Sequence, residues 1–498
     1  MKKIKVIKTI FSHIFFLMFI PGILHAQNEY TIRDAKVTVH VIDNNLLNQE
    51  MTIEIKQDEI SDYIGSITYT AKSNKSGEYT FIIPKLKTLA RFNLTLSSEG
   101  NLNRDLLLEP GDDIKITFLG NKLSKSGNVI RRILTYSGQG SGKLNADMEV
   151  SNTKPNNLAN LPKVFNQNYL DTLFVRADST WQNQKRILNK YKNEISPYAY
   201  KMIEIDNFGW AYYMSFSFLT KLYSDPVKRQ AIRSYYPKVK DIGYRGNDTI
   251  AASSNRYLTF LMSRTELSAM INADPEKSSP KKRYKEIMKE ANGILKEKLL
   301  TRYIVTLPIP ISEVSGDDVL TVDEINEALI FVNNPKYKEI ISNVLKTKGK
   351  GAIAYSFILP DTTGRMISLS DFNNKVVVLD YWFTGCGSCV TVAEVIDHEI
   401  LPKFKNNSDV VFISVSVDKD QKTWKNSVKT GTYTNPKSIN LYTGGLGWDH
   451  PFIKNYNFQG FPHVMLIDRK GRIFSSEMPN RDGAKMVELI NDALKTGI

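Results

Sequence analysis

The segment Val376-Val377-Val378-Leu379-Asp380-Tyr381-Trp382-Phe383-Thr384-Gly385-Cys386-Gly387-Ser388-Cys389 decides how this chain is read. Apart from one carboxylate, its first seven residues are aliphatic or aromatic, the composition of a strand buried on both faces. Thr384-Gly385 interrupts the run, and apolar residues then recur at helical spacing from Val390 to about Phe404. Cys386 and Cys389 therefore stand at a strand-to-helix junction. They are the chain's only cysteines, and two cysteines three apart cannot cross-link distant segments.

Outward from this junction the pattern alternates between strand and helix. A second strand is expected from Val410 to Val417, a helix near Gln421 to Val428, and a strand over Val464-Met465-Leu466-Ile467-Asp468. The turn Arg469-Lys470-Gly471, a strand from Arg472 to Ser475 and a helix from Asp482 to Leu494 follow. This order predicts an α/β domain with a mixed sheet over residues 350–498.

The whole chain has 498 residues, 42% hydrophobic and 24% charged, which excludes a fully disordered or collagenous protein and suggests about three domains. Residues 1–26 read as a secretory signal: four lysines, an apolar run from Ile10 to Ile20 too short to span a bilayer, and a Pro21-Gly22 break. Leu24 is not the small residue preferred before a cleavage site, so an uncleaved anchor is the alternative. Residues 351–498 hold 16 basic and 15 acidic side chains, so most of the formal charge of +14 lies elsewhere in the chain. A solvated lysine-rich face accounts for that excess, and nucleic acid is not an expected partner.

Residues 27–136 show short alternating runs, such as Lys36 to Ile42 and Asp113 to Phe118, separated by turns such as Glu109-Pro110-Gly111-Asp112. They predict a small antiparallel, all-β sandwich. Ser137 to Leu144 superficially looks like a phosphate loop but lacks its first glycine and its final hydroxyl, so 137–154 is expected to be a flexible junction. Residues 155–349 turn to helical spacing, with Phe208, Tyr212, Phe216 and Leu219 on one stripe and Ser279-Pro280 opening a further helix.

The Val378 to Cys389 segment, the opening Phe357-Ile358-Leu359-Pro360-Asp361, the phrase Ile367-Ser368-Leu369-Ser370-Asp371-Phe372, and Gly460-Phe461-Pro462 before a strand resemble exported thioredoxin-fold disulfide oxidoreductases of the TlpA/ResA type. The N-terminal sandwich and the helical region look similar to the extra domains that some exported members carry. The resemblance implies a C-terminal thioredoxin fold and a redox-active Cys386/Cys389 disulfide. It also implies a proton-transfer role for Asp380, a cis-proline at Pro462, and a substrate-facing surface that includes Trp382, Phe461 and Pro462. Gly385 departs from the family, in which tryptophan frequently precedes the first cysteine.

Physical chemistry bears on the same residues. A cysteine at a helix N-terminus meets unpaired N–H groups and the positive end of the helix dipole, which stabilises a thiolate. Cys386 is then the attacking sulfur, and Cys389, one turn further in, is placed to resolve the mixed disulfide. Asp380 inside an apolar strand would hold its proton to higher pH, as a proton relay needs. Three other readings are weighed. A zinc site lacks paired ligands among His40, His398, His450 and His463. Thr384, two residues before Cys386, suggests a peroxidase of the peroxiredoxin kind, and an inert thioredoxin scaffold would make a binding protein. The expected function is a periplasmic disulfide reductase that needs no cofactor beyond its own sulfurs. Its partners are disulfide-bearing client proteins and, because there is no third cysteine, an external dithiol donor such as a membrane reductase.

Overall fold

The computed structural model describes residues 31–496 apart from 43–45, 47–48, 57–65, 98, 124–128, 154–160, 247, 273–278, 307–319, 437, 457, 459, 477 and 480. The expected signal segment lies outside the described residues.

Eight strands come first: β1 (Arg33–Val41), β2 (Glu50–Lys56), β3 (Ile67–Lys72), β4 (Glu78–Leu86), β5 (Ala90–Leu96), β6 (Gly100–Leu108), β7 (Asp113–Leu123) and β8 (Val129–Gln139). They form two four-stranded sheets, β4-β1-β7-β8 and β3-β2-β5-β6. The alternation predicted for β1 is visible in its burial: Ala35, Val37, Val39 and Val41 all point into a core shared with Ile53, Phe92 and Ile116. The sandwich is not wholly antiparallel, because β1 and β7 pair in parallel. Strands β5, β6 and β8 were missed in the sequence, since turn residues and bulges break their period.

The stretch expected to be a flexible junction holds the end of β8 and helix α1 (Gly142–Asn152). The reason is a buried cation. Lys143 Nζ lies 2.7 Å from Asp112 Oδ2 and 3.3 Å from Glu109 Oε2, and Ser196 donates a hydrogen bond to Glu109. The turn that opens β7 and the glycine-rich segment after β8 are thereby clamped together. Gly138, at φ +86°, has room only for hydrogen, since a Cβ there would come 2.3 Å from the Asp113 carbonyl oxygen.

Helices α2 (Gln167–Leu188), α3 (Pro197–Tyr223) and α4 (Asn255–Asn272) lead the helical region. The stripe of Phe208, Tyr212, Phe216 and Leu219 packs into its core with Phe174 and Phe260. Ile187, Leu188, Met202 and Ile203, from the ends of α2 and α3, join the sandwich core instead. Asp206 on α3 pairs with Arg91 of β5 at 2.8 Å and accepts from Ser254 at 2.6 Å. The cationic start of helix Pro280–Glu290 is answered by Glu324, 2.8 Å from Lys281, and by Glu266 beside Arg283.

After the helix Pro335–Lys348, residues 351–354 run along the last strand of the C-terminal sheet, with Gly351 N donating to Ile473 O at 2.8 Å and Ile473 N to Ala352 O at 2.8 Å. That sheet's edge is thus covered. A hairpin of β9 (Ile358–Pro360) and β10 (Met366–Ser368) precedes β11 (Val376–Trp382), β12 (Val410–Ser416), β13 (Ile439–Tyr442), β14 (His463–Ile467) and β15 (Ile473–Ser475). The order is β13-β12-β11-β14-β15, parallel over the first three and antiparallel at β14 and β15, giving the expected mixed sheet. β11 is central and every residue in it is buried. Helix α5 (Gly387–Val395) follows the cysteine turn, α6 (Gln421–Thr430) follows β12, and α7 (Gly483–Lys495) closes the chain. Between α5 and Phe404 the helix passes through a π-helical stretch, Ile396–Ile400. Pro402, which lacks an N–H and crowds the preceding turn, accounts for it.

Candidate active site

Successive residues of a strand face opposite sides, so β11 divides its side chains cleanly. Val377, Leu379 and Tyr381 enter one core layer, while Val376, Val378 and Trp382 enter the layers beneath α5 and α7. Asp380 shares the second face, toward α5. With Val378, Ala393, Ile396 and Asn435 it lines a cavity of about 10 Å³, room for roughly one water. Among the described residues no cation neutralises it, and burial pushes its carboxyl up to about 8.

From the end of β11 the chain turns through Phe383-Thr384-Gly385 into α5, and Cys386 is the residue that caps the helix. Gly385 has φ +96°, a backbone conformation that L side chains rarely adopt. That explains why glycine, and not the frequent tryptophan, precedes the first cysteine here. Cys386 and Cys389 are joined in a disulfide, with their Cα atoms 5.3 Å apart. The Cys389 backbone N–H, in the first turn of α5, donates to Cys386 Sγ at 3.2 Å and so points at the sulfur expected to carry negative charge. Cys386 Sγ also lies 3.8 Å from the Phe461 carbonyl oxygen. The Phe461–Pro462 peptide is cis. Cys386, Cys389, Phe461 and Pro462 are therefore brought together by the start of α5 and the loop entering β14.

Trp382 does not belong to the surface on which it was expected. It is 0% exposed, its Nε1 donates to Ser414 Oγ at 2.6 Å, and its ring stacks on Tyr433. An indole so enclosed cannot touch a client; it supports the cysteine turn from below. Sequence reasoning also missed Asp418, which accepts from the Thr384 N–H (2.8 Å), the Thr384 hydroxyl (2.8 Å) and the Ser416 hydroxyl (2.9 Å). With Ser427 2.7 Å from the Thr384 hydroxyl, this buried network fixes the turn that presents Cys386. The legible signal was an acid directly after the buried strand, in Ser416-Val417-Asp418. His463, next to Pro462, faces the aromatic layer on Phe458, and its Nε2 lies 2.8 Å from Ser476 O. Burial, with Lys348 nearby, lowers its pKa to about 3 and keeps it neutral.

Residues 373–473 match the thioredoxin-like family model. Among curated proteins, the thiol-disulfide oxidoreductases ResA of Bacillus thuringiensis and Bacillus cereus are each 32% identical over 123 residues, which is 25% of this chain and 66% of theirs. The solved thiol:disulfide interchange protein from Bacteroides sp. is 27% identical, covering 30% of this chain and 93% of that one with a TM-score of 0.24. The C-terminal part of the chain has a thioredoxin-like fold and is similar to TlpA/ResA-type proteins, the matched relatives, of which it spans 66%, being thiol-disulfide oxidoreductases.

Proposed function

We propose that the protein is an exported thiol-disulfide oxidoreductase that reduces disulfides of periplasmic client proteins with the Cys386/Cys389 pair. The observation that carries this reading is the meeting of the two sulfurs, the N-terminal N–H of α5 and the Phe461-Pro462 loop at one point. In the reduced protein the Cys386 thiolate attacks a client disulfide, one S–S bond forms as another breaks, and a client thiolate leaves. Cys389 then loses its proton and attacks Cys386 Sγ, releasing the second client sulfur and leaving the disulfide seen here. Two electrons pass to the client. Asp380 takes the Cys389 proton, and its raised pKa suits a group that must both accept and return a proton near neutral pH. The cis peptide at Pro462 and the neighbouring Phe461 form the surface against which an extended client segment lies. An external dithiol donor recharges the pair, since the chain has no third cysteine. Export rests on the N-terminal sequence pattern; among the described residues no helix is long and apolar enough to cross a membrane.

The peroxidase reading finds less support, because the Thr384 hydroxyl is already bound to Asp418 and Ser427 rather than turned to the sulfur. Cys389→Ser is expected to trap mixed disulfides with clients while Cys386→Ser does not. Equal trapping by both, or by neither, counts against the proposal, as does activity on peroxide without activity on insulin disulfides.

A further inference from the structure

Most large aromatic side chains of the C-terminal domain are enclosed; Trp382 and Trp424 are both 0% exposed. Trp448 is the exception among its tryptophans. It is 44% exposed, beside Leu446 at 51%, and its ring lies 4.5 Å from that of Phe461. Phe461 in turn packs edge-on against Phe383 at 6.1 Å, and its carbonyl oxygen lies 3.8 Å from Cys386 Sγ. An apolar strip therefore starts at the reacting sulfur and ends at a half-solvated indole.

The loop carrying Trp448 is held in place. Thr443 donates through both N and Oγ1 to Ser416 O, at 3.2 and 3.0 Å. Gly445 and Gly447 have φ +85° and +55°, and a Cβ on either would come 3.0 Å from Lys419 O or 2.8 Å from Val417 O. The loop thus lies on the backbone leaving β12 at positions that favour glycine. Asp449, the adjacent charge, is paired with Lys454 at 3.0 Å. A fixed apolar platform with its neighbouring charge neutralised costs little entropy when a side chain settles on it.

We infer that Trp448, with Phe461 and Leu446, is a specificity-determining subsite for a large apolar side chain placed close to the reacting cysteine of an extended client. The inference rests on the disulfide-exchange reading and names the substrate class of that same site. From the sulfur through Phe461 to the indole is on the order of 10 Å, which at about 3.3 Å per extended residue sets the favoured position two to three residues from the client cysteine.

The test uses the full-length reduced protein and two disulfide-linked peptides that differ only in Phe or Ser two residues from the cysteine. Wild type is expected to favour the Phe peptide by roughly 10-fold in kcat/KM, mainly through KM, a difference typical of one aromatic contact. Trp448→Ala brings that ratio close to 1, and Trp448→Phe keeps most of it. An unchanged ratio in Trp448→Ala, or equal reduction of both peptides by wild type, overturns the subsite while leaving the exchange reading intact. Reduction of neither peptide by wild type overturns the exchange reading and the subsite with it.

Discussion

Replacing Asp380 by Asn removes a buried carboxyl without changing its shape, and its effect on stability has a sign and a slope fixed by ionisation. In the folded protein the group holds its proton to about pH 8, against 3.8 when exposed. Between those values the native state binds a proton that the unfolded state has released, so the carboxyl's contribution is intact below pH 3.8 and is lost as pH rises toward 8. At about 1.4 kcal/mol per pH unit, Asp380→Asn is expected to gain on wild type from near zero at pH 4 to on the order of 5 kcal/mol at pH 8. His463 acts in the opposite direction. Its lowered pKa makes stability fall as pH drops from 6.5 toward 3, but it is present in both proteins and cancels in the difference. Native-state hydrogen exchange of the β11 amides, compared between variants at matched pH, reads the opening of this domain alone. A difference that stays flat between pH 5 and 8 would show that Asp380 ionises normally and would end its case as the proton acceptor. Resolution of the mixed disulfide by Cys389 should meanwhile slow by about 10²-fold or more, the ordinary worth of a positioned acid–base group.

Other outcomes follow from groups whose removal strands a partner. Lys143→Met leaves Asp112 and Glu109 buried without their cation and is expected to cost about 3–5 kcal/mol in urea unfolding of the N-terminal region; a loss below 1 kcal/mol would mean that the cluster is solvated. Ser414→Ala strands the Trp382 Nε1–H and should cost about 1–3 kcal/mol, with a change in indole fluorescence. Asp418→Ala frees the Thr384 N–H and leaves its hydroxyl to Ser427 alone, so the midpoint of the pH profile for alkylation of reduced Cys386 should move upward as the turn loosens, whereas a merely structural role would lower melting temperature and leave that midpoint unchanged.

The core of the C-terminal domain was legible because its central strand is buried on both faces and its helices on one, so a continuous apolar run gives way to helical spacing without ambiguity, as in Val376 to Phe404. The sandwich was harder to read. β5 alternates poorly because Asn93 is buried and hydrogen-bonded to Glu54 of β2, a pairing with no local signature. The misreading of 137–154 has the same origin: glycines and a lysine look like a loop until Asp112 and Glu109, some thirty residues earlier, are known to enclose that lysine.

By itself, the sequence determined that two cysteines stand at the start of a helix after a buried strand, and that a carboxylate lies six residues before the first. These are short-range facts, set by periodicity and by the preference of each residue for its surroundings. Only the tertiary structure decided which groups face those sulfurs. The Phe461 carbonyl, the Asp418 network and the half-exposed Trp448 arrive from segments 30 to 75 residues away, and Trp382 was turned inward by Ser414 on the neighbouring strand. Such contacts depend on strand order and register, which one-dimensional spacing does not encode.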